Sequence, residues 1–232
     1  MRVRVPPCPR FHVWYDLPVK IAPQAWRFVI PALIVAALGA RPQATAAATG
    51  IAALFGILGL VFAVFCLYFF RDPDRPAPTD PDSIVSPGEG VVLSVAREGP
   101  GDQVTARIFL SIFDVHVQRA PCAGKVTKVT VVEGSFAAAM KDDARRNARV
   151  VMTLDPGASR EPLVVEQIAG LIARRIECWP KPGESLTAGQ RYGIIYFGSQ
   201  AAVHFPAGSV CTISVGQRVS AGVTEIGRWI RK

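Results

Sequence analysis

The feature that most constrains the fold of this chain is a long uncharged segment near its N-terminus. Residues 44–70 carry no charged side chain over 27 positions, and about 20 apolar residues suffice to cross a bilayer core. Residues 28–40 form a second apolar run of 13 residues, with Pro31 inside it. At about 1.5 Å per residue, this second run is too short to span alone unless it includes flanking residues.

The two apolar runs are separated only by residues 41–43. A signal peptide is the alternative for the first run, since basic residues precede it, but the longer run directly behind it favours a transmembrane helical hairpin over residues 28–70. One basic residue, Arg41, lies in the turn, whereas those outside the hairpin are Arg2, Arg4, Arg10, Lys20, Arg27, Arg71 and Arg75. The positive-inside rule therefore predicts a cell-membrane protein whose C-terminal domain lies on the cytoplasmic side.

The charge distribution indicates the kind of partner. The net charge is +8, and about +5 of it falls in the first 70 residues, where six Lys or Arg stand against Asp16. This placement predicts contact with an anionic membrane surface. Residues 1–27 also hold Phe11, Trp14, Tyr15 and Trp26, which are typical of an interfacial aromatic belt. A basic stripe with interleaved aromatics is lacking, so no nucleic-acid partner is expected.

The remaining chain divides into a linker and one domain. Residues 71–83 contain four prolines and four aspartates, which predicts a stiff linker. Residues 84–232 consist of short β-type segments separated by Gly and Pro, with one Ala-rich helical candidate from Ser135 to Arg149. The five cysteines have no metal-type spacing, which predicts reduced thiols and no metal site. The sequence thus predicts a mainly β domain with little helix.

An internal echo runs through this domain. The heptad at 183–189, GESLTAG, matches GQRVSAG at 216–222, and the pattern PxxGxV occurs at 87–92 and again at 121–126. Gly-rich turns can repeat by chance, but the spacing favours a lipoyl/barrel-sandwich-like β domain, in which two similar halves interlock. Lipoyl and biotinyl carrier domains have a modifiable lysine at the tip of a hairpin, and this sequence lacks a lysine in such a tip.

A Gly198–Ser199 step lies 34 residues from the C-terminus, between two β-type segments. Such a step is usually only a turn. A serine held after glycine can also attack the preceding carbonyl, which glycine leaves unshielded. The resulting ester can eliminate to dehydroalanine, whose hydrolysis gives a pyruvoyl group.

Five motifs together resemble the phosphatidylserine decarboxylase family in its short prokaryotic form. In chain order they are FFRDPD at 69–74, SPGEG at 86–90, DVHVQRAP at 114–121 followed by AGKV at 123–126, QIAGLIARRI at 167–176 and GIIYFGS at 193–199. The resemblance covers most of residues 65–206. Five motifs in family order behind a predicted membrane hairpin are specific, although each alone is weak.

The resemblance implies a proenzyme that cleaves itself between Gly198 and Ser199. The products are a β chain, 1–198, and an α chain, 199–232, which begins with the pyruvoyl group made from Ser199. That group forms a Schiff base with phosphatidylserine and accepts the electrons released with CO2, which leads to phosphatidylethanolamine. The resemblance implies a β–α heterodimer, with further assembly left open, and neither a metal nor pyridoxal phosphate.

Further candidate residues surround the cleavage step. His116 is a candidate for proton transfer, because a neutral imidazole near pH 7 suits a general acid or base. The long-form enzymes place a second histidine where this chain has Arg119, and an aspartate where it has Glu89, so their aspartate–histidine–serine relay does not carry over. Arg119 is instead predicted to bind the phosphate or carboxylate of the headgroup. Arg174–Arg175 is either a second phosphate clamp or a solvated turn.

Three functions follow from these observations. The first is the self-processed phospholipid decarboxylase. The second is a membrane-tethered lipoyl-like carrier or scaffold that needs no cleavage. The third is a pyruvoyl enzyme for a soluble amino acid, which the hairpin disfavours because a soluble substrate gives no reason to hold the site at a bilayer.

Overall fold

The computed structural model describes residues 19–76, 78–98, 100–135, 146–157, 159–170 and 175–230. Among these residues the structure is mainly β, as predicted, with 40% strand and 23% helix. The two α-helices are α1 (Trp26–Gly39), which follows a 3-10 turn at Pro23–Ala25, and α2 (Ala46–Phe69). Beyond residue 70, the described helical structure is a 3-10 turn at Pro100–Asp102.

Helices α1 and α2 pack closely against each other. A Cβ on Gly39 would lie 2.3 Å from the Ala52 carbonyl oxygen, and one on Gly59 would lie 2.7 Å from the Ala32 carbonyl oxygen. Glycine at these positions therefore lets the two backbones approach, as in many membrane helix pairs. A helical hairpin is present where the sequence predicts one.

The two helices differ in length. Within the described residues, α2 is the one helix long and apolar enough to cross a membrane. The 14 residues of α1 correspond to about 21 Å, which is less than a bilayer core of about 30 Å. The open ends of the hairpin are joined, because the Ala22 amide donates to the Phe70 carbonyl over 2.8 Å.

Sixteen strands are described. They are β1 (Val19–Ile21), β2 (Arg71–Pro73), β3 (Ser83–Val85), β4 (Gly90–Arg97), β5 (Val104–Leu110), β6 (Val117–Arg119), β7 (Gly124–Val132), β8 (Arg149–Asp155), β9 (Leu163–Ala169), β10 (Ile176–Cys178), β11 (Ser185–Leu186), β12 (Arg191–Ile195), β13 (Ser199–Phe205), β14 (Ser209–Cys211), β15 (Arg218–Val219) and β16 (Glu225–Trp229).

The strands form one large sheet and three small ones. The large sheet has the order β11-β7-β8-β9-β13-β5-β4-β15 and curls around the main apolar core. Two three-stranded sheets, β10-β12-β6 and β14-β16-β3, accompany it. Strands β1 and β2 pair at the base of the helical hairpin. All of these pairings are antiparallel.

The β domain is built from two equivalent units. One unit is the continuous series β6 to β12, and the other consists of β3, β4 and β5 followed by β13 to β16. Their pairings match: Val219 pairs with Gly90 as Leu186 pairs with Gly124. A bulge follows Val92 in β4, and another follows Val126 in β7. The echo in the sequence is therefore a structural repeat.

One unit is inserted into the other along the chain. The inserted unit ends with β12, and the chain returns to the first unit at β13. The return consists of residues 196–198. The Gly198–Ser199 step therefore lies at the junction of the two units, where β13 enters the large sheet between β5 and β9.

A helix was predicted from Ser135 to Arg149, but neither end of this segment is helical. Residues 136–145 lie outside the described residues. Ser135 instead forms an isolated bridge with Asn147, and Arg149 begins β8. The prediction is wrong there because β8 alternates half-buried and buried residues and pairs on both sides, with β7 and β9.

The proline-rich segment after the hairpin is fastened to the β domain. Asp72 accepts from the Arg191 Nε over 2.5 Å and from Arg119 over 3.2 Å. Asp74 pairs with Lys20 over 2.8 Å and with Arg191 over 2.7 Å. Stiffness alone was expected of this segment, but these ion pairs also fix its direction.

Candidate active site

The turn from Tyr196 to Ser199 has an unusual backbone. Phe197 has φ 53° and Gly198 has φ 77°. A left-handed conformation costs an L-residue roughly 1–2 kcal/mol, so Phe197 holds strain next to the Gly198–Ser199 peptide. A Cβ on Gly198 would have Ile112 as its nearest neighbour, at 3.8 Å. Glycine is thus favoured at 198 by the backbone angle and not by crowding.

Ser199 is completely buried at the start of β13. Its Oγ has no hydrogen-bond partner among the described residues. An unpaired buried hydroxyl costs about 1–3 kcal/mol, and such groups in native structures often have a chemical role. The Oγ belongs to the residue directly after Gly198, whose carbonyl carbon is the atom that the Oγ must attack for self-cleavage.

His116 lies against the same turn. Its Nε2 accepts a hydrogen bond from the Gly198 amide over 3.3 Å, and its Nδ1 donates to the Asp114 carbonyl over 2.9 Å. These two partners place the proton on Nδ1 and leave a lone pair on Nε2. Burial lowers the pKa of His116 to about 4, so the ring is neutral at pH 7 and can accept a proton.

Aromatic side chains from the hairpin enclose the turn. The Phe69 ring lies 4.3 Å from the His116 ring and 4.7 Å from the Phe197 ring, measured between centroids. Phe28 of α1 contacts Phe197 edge-on at 5.6 Å, and Phe65 of α2 stacks on it at 6.3 Å. The base of the helical hairpin is therefore one wall of the candidate site.

Glu89 does not orient His116 in this structure. Its carboxylate pairs with Arg75 and accepts from the Val115 amide over 3.3 Å. The group that holds the imidazole is the Asp114 carbonyl. This agrees with the expectation that an aspartate–histidine–serine relay does not carry over to this chain.

Arg119 lies three residues after His116, on β6. Its guanidinium donates to Asp72 over 3.2 Å, to the Pro73 carbonyl over 2.8 Å and to the Gly189 carbonyl over 3.1 Å. The structure therefore brings Ser199, Gly198 and His116 together but directs Arg119 toward the segment after the hairpin. Headgroup binding by Arg119 stays a prediction.

Two further residues, Arg175 and the histidine of β13, His204, make their contacts elsewhere. Arg174 is outside the described residues, and Arg175 pairs with Glu177 over 3.0 Å. His204 lies on β13 but contacts Thr105 over 2.7 Å and Glu166 over 3.2 Å. Because side chains alternate along a strand, His204 faces away from the Ser199 side of β13.

Four further side chains of this region were not predicted from the sequence. Phe69 and Phe197 lie within motifs quoted for the family, but neither was assigned a role. Gln118 and Gln167 also occur in quoted motifs; both are buried, and Gln167 lies on β9, which pairs with β13. The motif matches mark these positions, but their three-dimensional proximity depends on contacts distant in sequence. Among the described residues, no group of three His, Cys, Asp or Glu is arranged to bind a metal ion.

The buried serine, the strained turn and the neutral imidazole define a candidate site for chemistry on the Gly198–Ser199 peptide. Comparison with known proteins gives the same region a family. The family model described as phosphatidylserine decarboxylase matches residues 62–227, a range that includes every residue of this site named above except Phe28.

Curated relatives agree with the family model. A phosphatidylserine decarboxylase proenzyme from Symbiobacterium thermophilum is 40% identical over 90% of this chain and 95% of its own length. Proteins of the same name from Paraburkholderia phymatum and Solibacter usitatus are 39% and 43% identical, over 90% and 75% of this chain and 97% and 84% of their own lengths. This chain belongs to the phosphatidylserine decarboxylase family, and it is a decarboxylase of phospholipid biosynthesis.

Proposed function

We propose that this chain is a membrane-anchored proenzyme that cleaves itself between Gly198 and Ser199 and then converts phosphatidylserine to phosphatidylethanolamine and CO2. The observation that carries the proposal is the Ser199 hydroxyl. It is buried, unpaired among the described residues and next to the carbonyl of a glycine in a left-handed turn. The family relationship favours this enzyme over a carrier or scaffold. The interlocked repeat supports a lipoyl-like fold as its framework.

The cleavage uses only atoms of the chain and one water molecule. The Ser199 Oγ adds to the Gly198 carbonyl carbon, and the peptide C–N bond then breaks, so that an ester replaces the amide and the hydroxyl proton ends on the freed amine. Loss of the Cα proton of residue 199 expels the Gly198 carboxylate and leaves dehydroalanine. Water then converts dehydroalanine to a ketone and releases ammonia, which gives the α chain, 199–232, its pyruvoyl end.

His116 is the proposed base for this sequence. Its Nε2 lone pair is the buried acceptor that touches the Gly198 amide, one peptide unit from the bond to be broken. The imidazole must exchange that amide hydrogen bond for the Ser199 proton. Strain at Phe197 assists, because opening the peptide relieves the left-handed turn.

The residues present fit a pyruvoyl group at position 199. Glycine on the amino side leaves the carbonyl unshielded, residue 199 is buried, and the neutral imidazole is within reach of the turn. When formed, the group supplies a ketone for the substrate amine and a conjugated carbonyl that accepts the electron pair released with CO2. His116 and Phe69 then enclose the reacting end, and His116 is placed to carry the proton that replaces CO2.

The two fragments are expected to stay associated after cleavage. The α chain contributes β13 to β16, and β13 pairs on both sides with strands of the β chain, β5 and β9. Phe205 and Trp229 of the α chain also lie in the main apolar core. The product is thus a β–α heterodimer that shares one core.

The hairpin is proposed to insert into the cell membrane with the β domain on the cytoplasmic side. Apolar side chains of α2 are exposed, such as Leu54, Ile57 and Val61, and a bilayer would cover them. The test is a cysteine at Gln43, in the turn. If the hairpin spans, an impermeant maleimide labels it from outside. Failure to label until detergent is added would contradict spanning. Val131→Cys, on an exposed strand of the β domain, is the control that should label only after permeabilisation.

The chemical test of the proposed function is carbonyl trapping. Phenylhydrazine, or borohydride with phosphatidylserine present, should inactivate the enzyme and label the first residue of the α chain. A chelator should leave turnover unchanged. Loss of activity on chelation that a divalent metal restores would count against the mechanism, as would a label found anywhere but residue 199.

A further inference from the structure

Two buried glutamine amides near Ser199 carry acceptor oxygens that no described residue satisfies. Gln118 is fully buried and Gln167 is 1% exposed. The Oε1 atoms of both have no hydrogen-bond partner among the described residues, and the Ser199 Oγ has none either. A buried acceptor without a partner is destabilising. Their occurrence in one region indicates a site that gains its hydrogen bonds from a ligand.

Gln167 lies on the same face of the large sheet as Ser199. It pairs with Ala201 across β9 and β13, two positions along from the pair of Ser199 with Ala169. Because side chains alternate along a strand, both pairs point to one side of the sheet. Gln167 is therefore a near neighbour of the candidate nucleophile.

Gln118 approaches the same region from β6. A Cβ added to Gly88 would lie 3.4 Å from the Gln118 Oε1 and 3.3 Å from the Ala201 Cβ. The Gln118 amide and the Ala201 side chain of β13 therefore both lie beside Gly88. Gln118 also pairs with Gly193 on β12, and a Cβ on Gly193 would lie 2.7 Å from the Gln167 Nε2. Glycine at 88 and 193 thus allows both amides to lie close to the neighbouring backbone.

The amide nitrogens are only weakly engaged. The Gln118 Nε2 donates to the His116 carbonyl and the Gln167 Nε2 donates to the Glu177 carbonyl, each over a long 3.4 Å. A side-chain amide has two N–H donors and an oxygen with two lone pairs. Each glutamine therefore offers a donor and an acceptor in one buried place.

We infer that Gln118 and Gln167 bind the amino-acid end of the phospholipid headgroup beside residue 199, a role that rests on the proposed function. The amide N–H groups donate to the substrate carboxylate, and the Oε1 atoms accept from the substrate nitrogen. A serine headgroup satisfies both kinds of atom, whereas an ethanolamine headgroup lacks the carboxylate. The pair is thus a specificity determinant for substrate over product.

Neutral amides suit this reaction better than a cation. The carboxylate loses its charge as CO2 departs, so a cation bound to it would stabilise the ground state more than the transition state. An amide orients the carboxylate with a weaker hydrogen bond. Arg119, the cation predicted to bind the headgroup, makes its hydrogen bonds with Asp72 and two carbonyls instead.

The test measures headgroup binding without turnover. Mature enzyme is reduced with borohydride, which converts the ketone to an alcohol, and is titrated calorimetrically with glycerophosphoserine and glycerophosphoethanolamine. The wild-type protein should prefer glycerophosphoserine about tenfold or more. Gln118→Met and Gln167→Met should each remove most of that preference. Their thermal midpoints should not fall, because replacing an unpaired buried acceptor by an isosteric apolar chain can be neutral or stabilising.

The controls separate recognition from structure. Gln200 is a buried glutamine next to Ser199, but it lies on the opposite face of β13, so Gln200→Met should keep the preference. Gly88→Ala leaves both glutamines intact and narrows the space beside Gln118, so it should lower the preference even if a methionine variant fails to fold. An unchanged preference in a cleaved methionine variant would overturn the inference. Absence of an α chain in the wild-type protein, seen by intact mass, would instead contradict the proposed function.

Discussion

The first residues of β13 and β9 occupy equivalent places in the repeat but have different chemical surroundings. We call the start of each strand, with the residues around it, a strand entry. Ser199 begins β13 and Leu163 begins β9, its counterpart in the other unit. His116 directly precedes β6, as Asp82 directly precedes β3. At one entry the imidazole accepts from the Gly198 amide, and at the other Asp82 forms an ion pair with Arg160.

The surroundings explain the difference. The Ser199 entry has positive φ at Phe197 and Gly198 and is enclosed by aromatic rings from both hairpin helices. The Leu163 entry is closed by Arg160, which donates to the Pro81 carbonyl over 3.0 Å and lies over the Trp229 ring. A repeated fold therefore supplies two similar positions, and local residues together with the hairpin make one of them reactive.

Removing the Ser199 hydroxyl should abolish the difference between the two strand entries and have the largest effect on function. Ser199→Ala should abolish both self-cleavage and decarboxylation, because no nucleophile remains to attack the Gly198 carbonyl. Gel electrophoresis should show one uncleaved chain. Ser209→Ala is the matched control, since Ser209 lies in the α chain with its hydroxyl bound to the Pro206 carbonyl, and it should cleave normally. Wild-type activity in Ser199→Ala would contradict the account.

Removing the imidazole should have the next largest effect. His116→Ala is expected to lower turnover about 10²-fold or more, the usual scale for a lost acid–base group. A protein that cleaves but does not decarboxylate assigns His116 to the substrate, and one that stays uncleaved assigns it to Ser199. His204→Gln, a change on the opposite face of β13, should mature and turn over normally. If His116→Ala cleaves itself and decarboxylates the substrate at the wild-type rates, His116 has only a packing role.

A change at Gly198 sharpens the role of backbone strain. Gly198→Ala meets no close neighbour, but φ 77° is costly for alanine. The added methyl group shields the carbonyl from the Ser199 Oγ, and the cost of about 1–2 kcal/mol for alanine at this angle favours turn geometries that move the carbonyl away from it, so self-cleavage should slow roughly tenfold or more. A time course of cell-free synthesis measures this rate. Gly208→Ala, at a turn with φ 77° away from the site, controls for the general effect of such a change.

The pH dependence should show the smallest effect. Burial lowers the pKa of His116 to about 4, so the imidazole is neutral, and able to accept a proton, at every pH above that value. The self-cleavage rate should therefore be flat from pH 8 to about 5. Stability should decrease as pH falls below about 6.5, because the unfolded histidine gains a proton there and the buried one does not. A cleavage rate that halves near pH 6.5 would contradict a buried neutral base.

The sequence predicted the parts of the site that lie within short motifs. Gly198, Ser199 and His116 are identified by their immediate neighbours, and the uncharged segment identifies the hairpin without knowledge of its packing. The partners of Arg119 could not be predicted, because Asp72 lies 47 positions away in the chain and only the fold brings the two together.

The insertion of one repeat into the other could likewise not be predicted from the sequence. The echo indicated two related halves, but which strands adjoin depends on register across the sheet. The strain at Phe197 could not be predicted either, because glycine, and not phenylalanine, is the residue that signals a positive φ. The contact of the hairpin with the turn depends on both helices and on β12, which are far apart in sequence.

The central claim is that the chain breaks at Gly198–Ser199 to make its own ketone. Intact-mass measurement of the purified protein tests it most directly. The account predicts two fragments of 198 and 34 residues, the smaller one with a blocked N-terminus and the mass of a pyruvoyl group in place of serine. A single full-length chain with full decarboxylase activity would contradict the account.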